Sequence, residues 1–254
     1  PYAHKGGQDV LAQALSGAMA RRADASLPLS IYPIALADYA AGMHMMQGIL
    51  LALLQRQRTG QGQKVAVSLY DSMLAMQMQE AAMIMMKDSE VNWAAMPLSG
   101  VYQTKTGPLV LVGAFKKHPL RDICAALEIE DISQDERFCN LQAQFKHKAQ
   151  LQAILRERFA CNTREHWLAR LEAQDLLSAP VRDLREALVD PQTQHNGMLV
   201  EGRSSNGGSV RLVASPIQLS GWRAGLRRPP PQLGEHTEEV LSLVRARASG
   251  KEQS

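Results

Sequence analysis

The chain has 254 residues, 45% of them hydrophobic, enough to build one large domain or two small ones around a sizeable core. Its 28 Lys and Arg stand against 25 Asp and Glu for a net charge of +3, with no basic cluster interleaved with aromatics; that excludes a nucleic-acid surface and leaves an anionic small ligand open. Three cysteines (Cys124, Cys139 and Cys161), 15 and 22 residues apart, fit neither a zinc pattern nor a disulfide framework and point to a reducing cytoplasm.

In chain order, residues 9–20 repeat apolar side chains at helical spacing behind Asp9, which is placed to cap them. Residues 21–37 are irregular, with Pro28 and Pro33 as breakers. The strongest helix spans 40–57 and ends in a basic turn suited to the negative end of its dipole. Its apolar run, Gly48 to Leu54, is far short of the ~20 residues that cross a bilayer. Gly60 and Gly62 turn the chain into an expected strand at 64–70. A methionine-rich helix is expected from Asp71 to Lys87, with its methionines packed in a core or a dimer interface.

Composition changes near residue 92. Residues 101–104 and 108–113 flank a Lys-Thr-Gly turn and predict a β-hairpin. Helices are expected at about 117–128, 147–160 and 163–175, the last with Asn162 and Glu165 at capping-box spacing. A short helix at Leu184–Leu188, strands at 197–201 and 209–213, a Pro-rich stretch at 229–231 and a final helix from about Gly234 complete the plan. There is no internal repeat. This layout predicts an α/β protein in which a small helix-rich domain interrupts a larger one.

Asp38 is the residue whose surroundings carry most. It stands between small residues at the mouth of the long helix, where spacing alone makes it a helix cap. The segments around it recur in a fixed order: Ala37-Asp38-Tyr39 to Gly42-Met43-His44, Gly48-Ile49-Leu50, Arg58-Thr59-Gly60-Gln61-Gly62-Gln63, and Val67-Ser68-Leu69-Tyr70-Asp71. Then come Gly100 to Gly107 (Gly-Val-Tyr-Gln-Thr-Lys-Thr-Gly), Ala179 to Leu184, Asp190-Pro191-Gln192, Gly197-Met198 and Leu233 to Leu241. This succession resembles the family III CoA-transferases (CaiB/BaiF type), typified by formyl-CoA transferase and carnitine CoA-transferase. Each piece is weak alone; their order is specific.

The resemblance covers nearly all of this chain, yet within the family's usual length the first third has no counterpart here. It implies an incomplete Rossmann-like large domain (residues 1–94 and 193–254), a smaller helix-rich α+β domain (95–192) and an interlocked homodimer. A chain so shortened is expected to be poorly stable or inactive alone. By resemblance Asp38 is the catalytic aspartate, a nucleophile that mimics the acceptor acid and is ionised at neutral pH without a helper base. Acyl-CoA and a carboxylic acid are then the substrates, with no tightly bound cofactor, no metal, and neither nucleic acid nor membrane as partner. Lys5, Gly6, Gly7 and Gln8 fall where the family places a loop against the CoA thioester, and Leu69 matches a pocket-lining position. The tetrahedral oxyanion is expected to need backbone N–H donors from a small-residue loop. Residues 92–99 lack the glycine run of formyl-CoA transferases, which argues against oxalate or formate as substrate.

Two other readings stay open. An α-methylacyl-CoA racemase would pair the aspartate with a histidine in the loop before the first helix. Gly7-Gln8-Asp9 offers glutamine there, which cannot act as a base. α-Proton washout from a 2-methylacyl-CoA would mark the racemase. A non-catalytic fragment of such an enzyme is the third reading.

Overall fold

The computed structural model describes residues 6–24, 26–113, 115–204, 206–223 and 225–248. By contacts the chain divides into two units, residues 1–181 and 182–254.

The first unit opens with α1 (Asp9–Leu15), a single 3-10 turn (Ala18–Ala20) and α2 (Leu36–Thr59). Gly17, at φ 84°, ends the helix expected to run to residue 20. After α2 comes the first clear departure from expectation. Residues 64–68 form no strand, because no second strand pairs with them among the described residues; instead Val65 lies against α2, its Cγ1 just 2.7 Å from where a Cβ on Gly48 would stand. The Ser68 side chain then caps α3 (Leu69–Met76), accepting from the Asp71 amide at 3.0 Å. A break at Gln77 splits the expected methionine-rich helix into α3 and α4 (Met78–Lys87).

Helices α1 to α3 share a small core of Ala12, Ala18, Ala37 and Met73, with Leu36 and Leu69 packed on it. Of the methionine-rich stretch, Met73 is buried, whereas α4 buries none of its residues and Met86 is 81% exposed. Helix α2 buries only Ala37 and Ala40 of its 24 residues. A helix this apolar on its open faces is one that belongs against further protein.

The larger core surrounds an antiparallel sheet of order β1-β2-β3: β1 (Ser99–Thr104), β2 (Gly107–Val112) and β3 (Leu177–Pro180). The hairpin pairs Thr104 with Gly107, as its turn residues predict, and β3 was missed because four residues carry little pattern. Leu109 and Leu111 on central β2 are fully buried against α5 (Pro119–Leu127), α7 (Lys148–Phe159) and α8 (Arg164–Ala173), with short α6 (Leu141–Lys146) preceding α7. Tyr102 stacks on Phe159 at 4.6 Å, Phe159 meets the edge of Trp167 at 5.9 Å, and Trp167 Nε1 donates to the Phe159 carbonyl at 2.8 Å. Burial pushes the Tyr102 phenol up to about 12. The cap of α8 is Thr163, which accepts from the His166 amide; the expected Asn162 lies one residue too early.

Gly113, at the end of β2, fits because it has no side chain. A Cβ there would stand 2.8 Å from both the Leu98 Cβ and the Leu98 carbonyl oxygen, and 3.1 Å from Ile123 Cδ1. Since one of those neighbours is backbone, relief requires the chain to move. Gly113→Ala should therefore lower stability by roughly 1–3 kcal/mol, read as an earlier urea midpoint; an unchanged midpoint would contradict the packing.

The second unit carries α9 (Leu184–Leu188), with a full capping box between Asp183 and Glu186, and α10 (Pro191–His195), capped by Asp190. Hairpin β4 (Leu199–Arg203) and β5 (Ser209–Val213) comes after them, then the two-residue strands β6 (Gln218–Leu219) and β7 (Trp222–Arg223), and α11 (Thr237–Ala248). All strand pairings among the described residues are antiparallel.

Candidate active site

The site is assembled from the first turn of α1. Gln8 is extended (φ −154°, ψ 143°) and caps that helix, its Oε1 accepting from the Val10 amide at 2.8 Å and the Leu11 amide at 3.3 Å. Asp9 is therefore not the cap of its own helix. Its buried carboxylate reaches across to α2, where Oδ1 accepts from the amides of Ala37 (2.6 Å) and Asp38 (3.1 Å). The residue at the α2 N-cap position, Ala35, has no side chain able to cap, so a carboxylate from α1 takes that role.

The second oxygen of Asp9 accepts from Gln13 Nε2 at 2.6 Å. Gln13 is fully buried, and its Oε1 accepts from the Tyr32 amide at 3.1 Å. Asp9 and Gln13, one helical turn apart, thus fix the entry of the chain into α2. Sequence reasoning missed both roles. The available signal was a polar pair at i and i+4 on an otherwise apolar helix face.

Asp38 is the third residue of α2, and it is exposed. Its side chain makes no hydrogen bond or ion pair among the described residues, so the expected cap role is not what the structure shows. What is held is its backbone, through Asp9. The free carboxylate stands at a helix N-terminus, an end that favours anions. The amides of Ala37 and Asp38 are consumed by Asp9 and cannot serve as oxyanion donors. The amides of Gly6 and Gly7, shortly before Asp9, make no hydrogen bond among the described residues.

The other expected site residues divide. Lys5 lies outside the described residues. Gly6 and Gly7 are exposed, and among the described residues a Cβ on either would meet nothing within 4 Å. Gln8 is joined to the site through Asp9, although its side-chain carbonyl is spent on the cap. Leu69 is not at a strand end but opens α3, half-buried on the small core that contains Ala37. Among the described residues no group of three His, Cys, Asp or Glu could hold a metal ion, and no helix is long and apolar enough to cross a membrane.

Known proteins share this arrangement of segments. The profile of CoA-transferase family III matches residues 1–237. A succinyl-CoA:glutarate CoA-transferase of Mus musculus is 28% identical over 249 residues, covering 96% of this chain and 57% of the mouse protein. An acyl-CoA transferase of Fusarium pseudograminearum is 29% identical over 250 residues, covering 96% of this chain and 55% of its own. The crystal structure of a CAIB/BAIF family protein from Brucella suis superimposes with a TM-score of 0.81 at 24% identity, over 96% of this chain and 64% of that one. This chain thus spans between about half and two thirds of the length of the proteins it matches.

Proposed function

This chain belongs to CoA-transferase family III, and we propose that it moves coenzyme A from an acyl-CoA thioester to a carboxylic acid through covalent intermediates on Asp38. The observation that carries this reading is the exposed Asp38 carboxylate, without a partner among the described residues, on a backbone pinned by Asp9. An Asp38 oxygen attacks the thioester carbonyl carbon, and the tetrahedral oxyanion collapses to an acyl-aspartyl anhydride with CoA thiolate as leaving group. The thiolate attacks the aspartyl carbonyl carbon, releasing the donor acid and leaving an aspartyl-CoA thioester. An acceptor carboxylate attacks that thioester, expelling the thiolate, and the thiolate takes the acceptor's acyl carbon from the new anhydride. Asp38 is regenerated and no proton or electron needs an outside carrier.

In this reading the amides of Gly6 and Gly7, which make no hydrogen bond among the described residues, serve as donors to the oxyanion. Lys5 to Gln8 and Leu69 make up the rest of the thioester site in this reading. Acyl-CoA is a substrate and not a resident cofactor. The name of the mouse relative supports short diacids as one acyl class; the residues of the loop at 92–99 do not favour the smallest of them. The exposed apolar faces of α2 and α4 support an interlocked homodimer; in this reading the domains lie at 1–94, 95–192 and 193–254 and the protein is cytoplasmic.

Intact-mass measurement after incubation with a panel of acyl-CoAs, followed by hydroxylamine trapping, tests the mechanism. A hydroxamate on Asp38 is expected. Transfer that proceeds with every panel member while Asp38 stays unmodified would overturn it.

A further inference from the structure

A cavity of about 420 Å³ opens in the first unit between residues 93–99, the end of β2 and the starts of α5 and α6. That volume is in the range of small-molecule sites. One wall is a pair of aromatic rings, Trp93 and Phe115, stacked with centroids 6.1 Å apart; they are 46% and 67% exposed. Pro97 and Leu141 extend the apolar surface. Exposed aromatic rings gathered at a cavity mouth are surface that a monomeric protein ordinarily hides.

Charge at the same mouth has one sign. Lys117 lines the cavity, and among the described residues no carboxylate does. Its neighbour Lys116 is occupied, donating to the Gln174 carbonyl at 2.7 Å and lying 3.6 Å from Asp122 and 3.5 Å from Asp175. Lys117 makes no ion pair or hydrogen bond among the described residues. The amide of Gln144 lies at the buried end, its Nε2 donating to the Phe138 carbonyl at 2.8 Å. The close contact of Gly113 with Leu98 fixes the floor.

We propose that this cavity binds a carboxylate with an apolar body, the body against Trp93, Phe115 and Leu141 and the head group on Lys117. Its apolar wall and single ammonium without a partner among the described residues suit a monocarboxylate over a diacid, and this binding stands apart from the transfer function proposed above.

Titration calorimetry on the full chain with 3-phenylpropanoate tests it, with 3-phenylpropan-1-ol and glutarate as comparison probes. One saturable site per chain is expected, with glutarate weaker. Lys117→Gln should weaken the acid about fivefold and leave the alcohol unchanged. Phe115→Ser should weaken acid and alcohol alike by about fivefold or more. Both side chains are exposed, so neither change threatens the fold. Equal affinity in wild type and both variants, absence of a saturable site, or glutarate binding as well as the aryl acid would each overturn the proposal. Failure of the two readings is separable. The expected binding pattern without any Asp38 adduct sinks the transfer mechanism alone, and an Asp38 adduct with binding indifferent to both variants sinks the pocket alone.

Discussion

Asp38→Asn should lower CoA transfer by about a thousandfold or more and abolish hydroxylamine trapping, with melting temperature little changed and circular dichroism unchanged. The two halves of that expectation come from one observation. Because the Asp38 side chain is exposed and has no partner among the described residues, the fold loses only the carboxylate's interaction with the helix N-terminus, about 0.3–1 kcal/mol, when it becomes an amide. The backbone amide that Asp9 holds is present in Asn as in Asp. Any loss therefore reports chemistry: the amide oxygen is a poor nucleophile and cannot form an anhydride that CoA thiolate resolves. The kcat/KM for exchange between labelled acyl-CoA and free acid measures the effect. Undiminished transfer by the variant would remove Asp38 from the mechanism, whatever the family resemblance.

The place of Asp38 at the start of a long helix was legible in the sequence, whereas the apparatus that holds its backbone was not. Helix α2 declares itself by an apolar stretch ended by a basic turn and Gly60. The hairpin of β1 and β2 is set by its turn residues, and α9 follows the short helical pattern of Leu184–Leu188. These signals are local, so a single sequence carries them. The bond from Asp9 to the amides of Ala37 and Asp38 spans 28 and 29 residues, and nothing in the local pattern announces it. A cap was expected at α2, yet the helix begins at Leu36 behind an alanine, and the acid that caps it is a residue assigned by position to another helix. The segment at 64–68 shows the complementary failure. Its alternation is strand-like, but a strand exists only where a second backbone accepts its hydrogen bonds, and among the described residues none does. Single-residue errors, such as Asn162 for Thr163 at the start of α8, come from several capping residues standing side by side.

The second large effect is expected at Asp9. Asp9→Ala removes a buried carboxylate from two amides at the start of α2 and from Gln13, leaving Gln13 Nε2 with only long contacts to the carbonyls of Tyr32 (3.4 Å) and Ile34 (3.3 Å). Loss of a cap with charge-assisted bonds should destabilise the chain by about 2 kcal/mol, seen in the denaturant midpoint. Transfer should suffer more than stability, because the Asp38 backbone loses its tether and a misplacement of about 1 Å at a reacting group costs on the order of a hundredfold. Asp9→Asn separates positioning from simple unfolding. Its Oδ1 can still accept from Ala37 and Asp38, but its Nδ2 would face Gln13 Nε2, donor against donor. Gln13 cannot turn its amide to relieve this without losing the bond its Oε1 accepts from the Tyr32 amide at 3.1 Å. The Asn variant should therefore be destabilised by about 1 kcal/mol, keep most of its kcat, and still trap hydroxylamine at Asp38. If Ala and Asn variants lose stability to the same degree and kcat in the same proportion, Asp9 is a packing residue. If Ala costs kcat far beyond its stability loss while Asn does not, the acid on α1 sets the position from which Asp38 attacks.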